Sequence, residues 1–341
     1  MTWFGAIQAQ DYVGATWALA LRMRRANATA IERAFADGRI LRTHVMRPTW
    51  HFVTPQDIRW MLALTAPQVS ARMTPYNRHL ELDRAVFRRS NKAIAAALHG
   101  GAQLTRQELK VVLQRAGVAS TAHGVQRLAH LMMQAELDAV ICSGALRGRQ
   151  FTYALLDERV PDGRVLARDE ALAKLAQRYF ISHGPAQLKD FSWWSGLSAA
   201  DARRAVEMVR PHLREAAVES KKYWSSSSAP PRSRRPALRA YLLPLYDEYL
   251  IAYKDRSAAI DPGRQQPAGF PDPFSAPLVL DGRVVGNWRR ASSEGRMRVA
   301  LNLDRRLNGV DMQAIADAAA RYGSFVGAFV GQEVITATKK E

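Results

Sequence analysis

The chain has 341 residues, 48% of them apolar, and one cysteine, Cys142. That is enough apolar side chain for a folded protein with more than one core, and a single cysteine excludes an internal disulfide and any cysteine-cluster zinc site. A formal net charge of +18 favours a polyanionic partner, and forty of the forty-nine basic residues are arginine, whose planar fork fits phosphate and guanine edges.

After "GAIQAQDY" (5–12), apolar Val13, Trp17, Ala20, Leu21 and Met23 predict a helix from Tyr12 to about Ala26. A second covers Thr29 to Asp37, with Gly38 as its C-cap. "ILRTHVMRPTWHFV" (40–53) reads as two strands joined by a turn at Arg47-Pro48, and Thr54-Pro55 opens another helix. The order then repeats. Helical runs at 81–99, 104–117 (capped by Thr105) and 123–138 precede a strand, a Gly/Arg-rich tip and a strand over 139–156. A third round runs through 169–184, 185–197 and 198–213 into an extended "REAAVES" and the low-complexity loop "SSSSAPPRSRRP" (225–236). Beyond it the texture is strands and turns, with Asp281-Gly282 as a hairpin signal. A last helix near 310–321 and strands around 325–338 close the chain. The expected fold is α+β: three tandem winged-helix motifs (1–75, 76–160, and 161–236 with its surface loop), then a strand-rich subdomain with a β-hairpin over 237–341.

Gln8 and Gln10, two apart, point the same way only on an extended backbone. They read either as a paired amide site or as solvated loop residues, with Asp11 capping the next helix. Arg42, His44, Arg47 and His51 lie on the first hairpin, where they would face DNA; His51 would alternatively sit beside the glutamines or bond to backbone. Arg147 and Arg149 mark the second wing tip. Arg283, Trp288, Arg289 and Arg290 flank the later hairpin, where one aromatic among arginines suits groove insertion or backbone clamping, unless Trp288 is packed on its sheet. Trp193-Trp194 reads as core, and "YDEYLIAYKDR" (246–256) as an ion-pair and tyrosine cluster. "GALRGR" is a glycine-rich wing and not a phosphate loop, because no strand-to-helix context follows it. No His/Asp/Glu set has metal-ligand spacing, so neither metal nor cofactor is expected. No apolar run reaches the ~18 residues of a membrane span, and no secretory signal is visible, so a cytoplasmic, nucleoid-associated monomer is expected.

The chain resembles the AlkZ-type winged-helix DNA glycosylases, on "QAQD" (8–11), "RTHVMRPTWHFV" (42–53), "HGPAQLKDFSWWSGL" (183–197), "LLPLYDEYLIAYKDR" (242–256) and "DGRVVGNWRR" (281–290). The resemblance implies winged helices curled around double-stranded DNA with alkylated bases, a Gln-x-Gln catalytic motif, and a hairpin that probes the lesion. Members usually carry about one more helix before this motif, so either the start is called late or the first winged helix lacks its opening helix. Glutamine does not titrate and cannot be a general base, but it can hold and direct a water. That suffices when the leaving group is cationic, as in N7- or N3-alkylated purines and their interstrand crosslinks. The competing reading is a non-catalytic winged-helix transcription regulator, which would follow an operator sequence instead of a lesion.

Overall fold

The structure is a computed structural model describing residues 1–24, 27–118, 124–228, 239–261, 276–293, 296–327 and 330–334. Strand β1 (Ile7–Gln8) precedes helices α1 (Tyr12–Ala20) and α2 (Ala28–Ala36). Helix α1 is shorter than its apolar pattern suggested, and residues 25–26 lie outside the described residues. Strands β2 (Leu41–His44) and β3 (Trp50–Val53) form the expected hairpin, and α3 (Pro55–His79) follows with Thr54 at its N-cap. Helix α3 runs on through Pro67 and Pro75, which local propensity would read as stops. Burial of Ala66, Val69 and Asn77 along it favours continuation.

The second round is α4 (Arg84–Leu98), β4 (Leu104–Thr105), α5 (Arg106–Arg115), α6 (Gly124–Leu137), β5 (Ile141–Ser143) and β6 (Thr152–Leu155). Thr105 caps α5 in a reciprocal box with Glu108. Leu98, Leu109, Leu113, Leu131 and Ile141 are fully buried together between these helices and strands. After α7 (Leu156–Arg159) come α8 (Arg168–Ser182), α9 (Leu188–Ser195) and α10 (Ala199–Val209). A hairpin of β7 (Leu213–Val218) and β8 (Lys221–Ser226) follows. Strand β8 takes up Ser225 and Ser226, which composition assigned to the loop; residues 229–236 lie outside the described residues.

The C-terminal part holds β9 (Ala240–Leu242), α11 (Glu248–Ile251), β10 (Ala276–Leu280), β11 (Arg283–Ser293), β12 (Arg296–Leu303), α12 (Gly309–Val326) and β13 (Val330–Val334). Its five-stranded sheet, ordered β13-β12-β11-β10-β9, is antiparallel except for the β12–β13 pair. Asp281 and Gly282 both take positive φ (46° and 81°), the paired left-handed turn that this dipeptide signals. Residues 335–338 of the expected last strands lie outside the described residues.

The chain divides into two compact units, Met1–Gln10 with Arg33–Ala229, and Asp11–Glu32 with Pro230–Glu341. Helix α1 belongs to the second unit, held by its C-terminal sheet and helix. Trp17 Nε1 donates to the Leu242 carbonyl at 2.6 Å, and its ring packs on Tyr322 and Phe325 with centroids 5.1 Å away. Arg22 forks onto Asp247 at 2.6 and 2.8 Å. Leu242 and Asp247 lie 225 residues from Trp17 and Arg22, and Tyr322 and Phe325 lie further still, so no local pattern announces them.

Candidate active site and nucleic-acid interface

In the first unit, β1 is an added edge strand on the β2–β3 hairpin, giving the sheet order β1-β3-β2. Ile7 pairs with Phe52 and Gln8 with His51, and the Ala9 N–H donates to the Trp50 carbonyl at 2.7 Å. The backbone is extended and paired from Ile7 to Ala9, and Gln10 follows just beyond the strand. Gln8 is buried, and its Oε1 accepts from Arg47 Nη2 at 3.1 Å. His51 is fully buried, and its Nδ1 lies 2.9 Å from the Thr49 carbonyl, a contact that needs the proton on Nδ1. Its Nε2 is then the acceptor facing Arg47 Nη2 at 3.4 Å. Gln10 is exposed, and its Oε1 accepts from the Trp50 N–H at 3.4 Å. One arginine thus touches both Gln8 and His51.

The turn carrying Arg47 is fixed from the third round of helices. Met46 has φ of +65°, and a Cβ on Gly196 would come within 1.9 Å of its carbonyl oxygen. Only glycine fits there. Gly196 ends α9 in "DFSWWSGL", and Asp190 in the same motif accepts from the Gln187 N–H at 3.0 Å. Tyr179, His183 and Trp194 stack together, and Phe4, just ahead of β1, meets the His183 ring edge-on at 5.4 Å. Trp194 is core as read, whereas Trp193 is 45% exposed. In the first turn of α3, buried Asp57 accepts from Thr54 and Trp60 and pairs with Arg178 at 2.6 Å. Burial alone would raise its carboxyl; the Arg178 and Thr54 hydrogen bonds outweigh that and hold it below the usual range. Asp57 and Arg178 escaped the sequence reading because they lie on α3 and α8 and carry no motif.

The other expected residues separate into three groups. His44 is corrected: it is buried against Glu136, which accepts its N–H at 2.9 Å and also contacts its Nδ1, so it presents nothing to DNA. Trp288 takes the second of its two readings: its ring is buried on the sheet, with Nε1 donating to the Leu243 carbonyl at 2.7 Å. Arg42 is buried, with Nε donating to the Ala9 carbonyl at 2.9 Å and its guanidinium over Trp50 and Phe151. Arg147 and Arg149 are exposed at the wing tip, but Arg147 is tied to Glu108 at 2.7 Å and to the Gln103 carbonyl at 2.6 Å.

In the second unit, Arg283 is exposed and paired with Asp261 at 2.8 Å. Arg289 and Arg290 are exposed in mid-strand β11, away from the Asp281-Gly282 turn. They line a cleft of about 240 Å³ with Asp11, Gly14 and Tyr322. Burial raises the Tyr322 hydroxyl, against the pull of Arg290. Asp11 occupies the N-cap of α1 without a side-chain cap bond, and a Cβ on Gly14 would lie 2.5 Å from its Oδ2. In the "YDEYLIAYKDR" segment, Asp247 caps α11 by accepting from the Tyr249 N–H at 2.8 Å and forms its ion pair with the distant Arg22. Burial pushes the Cys142 thiol up to about 12, which leaves it inert. Among the described residues, no three or more His, Cys, Asp or Glu side chains gather to hold a metal, and no helix is long and apolar enough to cross a membrane.

Comparison with known proteins places this arrangement among the DNA glycosylases, enzymes that cut bases from DNA. The family model described as DNA glycosylase AlkZ-like matches residues 1–325, and the chain belongs to that family. It is similar to the interstrand DNA cross-link repair glycosylase of Streptomyces sahachiroi, at 25% identity over 299 residues, 84% of this chain and 80% of that protein. The solved structure of the Streptomyces sahachiroi DNA glycosylase AlkZ shares the fold with a TM-score of 0.76 at 23% identity, over 98% of this chain and 92% of that one. The regulator reading is thereby set aside.

Proposed function

We propose that the protein is a monofunctional glycosylase that hydrolyses the N-glycosidic bond of cationic N7- and N3-alkylated purines in duplex DNA, including those joined in interstrand crosslinks. The observation that carries this reading is the extended Gln8 beside His51 and Arg47. The bond from the sugar carbon to the base breaks with its electron pair going to the base, which leaves neutral. Water then forms the new C–O bond, and its proton passes to solvent. No acid is needed for such a leaving group, so the protein's task is to place the water and stabilise the sugar cation.

Gln8 and Gln10 are the catalytic residues of this proposal, their amides holding the water and their carbonyl dipoles facing the developing charge. Arg47 is the positioning residue: its bond to Gln8 Oε1 fixes which way that amide points. His51 supports the arrangement from the paired strand, and Asp11, next in sequence to Gln10, is a second supporting residue. Arg149, Arg289 and Arg290 supply charge toward DNA, with Arg147 held back by Glu108, Arg283 by Asp261, and Arg42 buried on the Ala9 carbonyl. The cross-link reading draws on the name of the Streptomyces relative. Release of N7-methylguanine from methylated duplex, wild type against Gln10→Ala, tests the proposal. The variant should be slower by at least about tenfold, as for an interaction made in the transition state; an unchanged rate would remove the glutamines from the mechanism.

A further inference from the structure

Helix α6 carries one acidic side chain from the second round into the first hairpin. Glu136 is 1% exposed, and no motif marks it in the sequence. Its Oε2 accepts from the His44 backbone N–H at 2.9 Å and meets His44 Nδ1, while its Oε1 accepts from the Trp50 indole N–H at 3.3 Å. His44 and Trp50 face each other as the last β2–β3 pair before the turn. One carboxylate therefore spans both strands at the mouth of that turn. The His44 and Trp50 rings pack with centroids 4.4 Å apart, and the Arg42 guanidinium lies 4.2 Å from the Trp50 centroid.

The catalytic segment rests on the backbone of Trp50. Its N–H donates to Gln10 Oε1 at 3.4 Å, and its carbonyl accepts from the N–H of Ala9, between the two glutamines, at 2.7 Å. The turn itself has a separate anchor, Thr65 Oγ1, which accepts from the Met46 N–H at 2.9 Å. Glu136 therefore acts chiefly on the setting of Trp50. The donors around it also fix the residue type. Three N–H groups converge on two oxygens, which an ionised carboxylate satisfies. A glutamine there would set its NH2 against His44 or Trp50, donor facing donor. Desolvation offsets most of what a buried carboxylate gains by pairing, so it adds little net stability. What it supplies is a fixed geometry for the residue that Gln10 engages.

We infer that Glu136 is a positioning residue for base release, holding the Trp50 indole so that the Trp50 backbone N–H stays in register with Gln10. This role presupposes the glutamine mechanism proposed above. A side chain so buried presents nothing to DNA, so its loss acts on the rate and leaves binding alone.

The test is single-turnover release of N7-methylguanine from methylated duplex by the full-length protein. Glu136→Gln should slow release at least about tenfold and keep affinity for the duplex within about threefold. In a Gln10→Ala background the same change should cost less than about twofold, because the group it positions is gone. A readout independent of catalysis is the Gln10 side-chain amide resonance in glutamine-labelled protein, assigned by its loss in Gln10→Ala. Glu136→Gln should move that resonance. Trp50→Phe, which removes the indole donor and keeps an aromatic ring, should move it too and slow release at least about threefold, which decides the matter even where Glu136→Gln unfolds. Additive losses in the double variant, equal losses of rate and affinity, or a lower melting temperature at an unchanged rate would make Glu136 a structural pin and overturn the inference. A moved resonance in a protein that releases no N7-methylguanine would uphold the positioning and sink the glycosylase reading. Release by the wild type, with a still resonance and a full rate in Glu136→Gln, would do the reverse.

Discussion

Gln8 ends strand β1 and Gln10 lies two residues beyond it, in a different environment: one is buried on Arg47, the other exposed on the Trp50 backbone. Gln8→Ala should therefore slow base release by at least about tenfold while leaving affinity for DNA within about threefold. Arg47→Ala should slow it similarly, because Gln8 loses the bond that orients it. Parallel losses of rate and binding would instead mean that these residues only hold DNA. At this scale the sequence was legible where the backbone decided the outcome. The i, i+2 spacing called for an extended segment, and β1 supplies it at Gln8 and ends before Gln10. It was illegible where a distant partner decided it. His44 looked like a hairpin residue free to meet DNA, yet Glu136, 92 residues away, captures it.

Among the elements, α3 and α8 are tied together by Asp57 and Arg178. The folded-state pKa of Asp57 is depressed, so its contribution is fully present above the ordinary carboxylate range and is lost as pH falls through the depressed value. Asp57→Asn should cost about 3 kcal/mol at neutral pH, the typical loss on breaking a buried pair, and the gap from wild type should narrow in acid. Denaturant melts at pH 7 and pH 3 read this directly, and a gap that widens in acid would contradict it. Caps and turns were legible at this scale: Thr105 before α5, Gly38 after α2 and Asp281-Gly282 between β10 and β11 all carry local chemistry. The docking of α1 on Leu242 and Tyr322 was not, since nothing near Trp17 encodes partners so far along the chain.

For the molecule as a whole, the charge of +18 predicts affinity for plain duplex that falls steeply with salt, with a log–log slope of roughly −4 or steeper. Arg149→Ala should flatten that slope by about one, and Arg147→Ala by less, because Glu108 already neutralises Arg147. A slope near zero would remove nucleic acid as the partner. The α+β class and the repeated helix–strand order were legible from periodicity, whereas the division into two units depends on long-range packing that composition does not carry.

Two amides can suffice only if the lesion has already activated the bond. The decisive measurement is single-turnover base release by the wild-type protein from matched duplexes containing either N7-methylguanine or uracil. N7-methylguanine, which leaves as a neutral base, should be released, while uracil, which carries no positive charge, should remain in place. Efficient uracil excision would contradict the charge-dependent mechanism at its root.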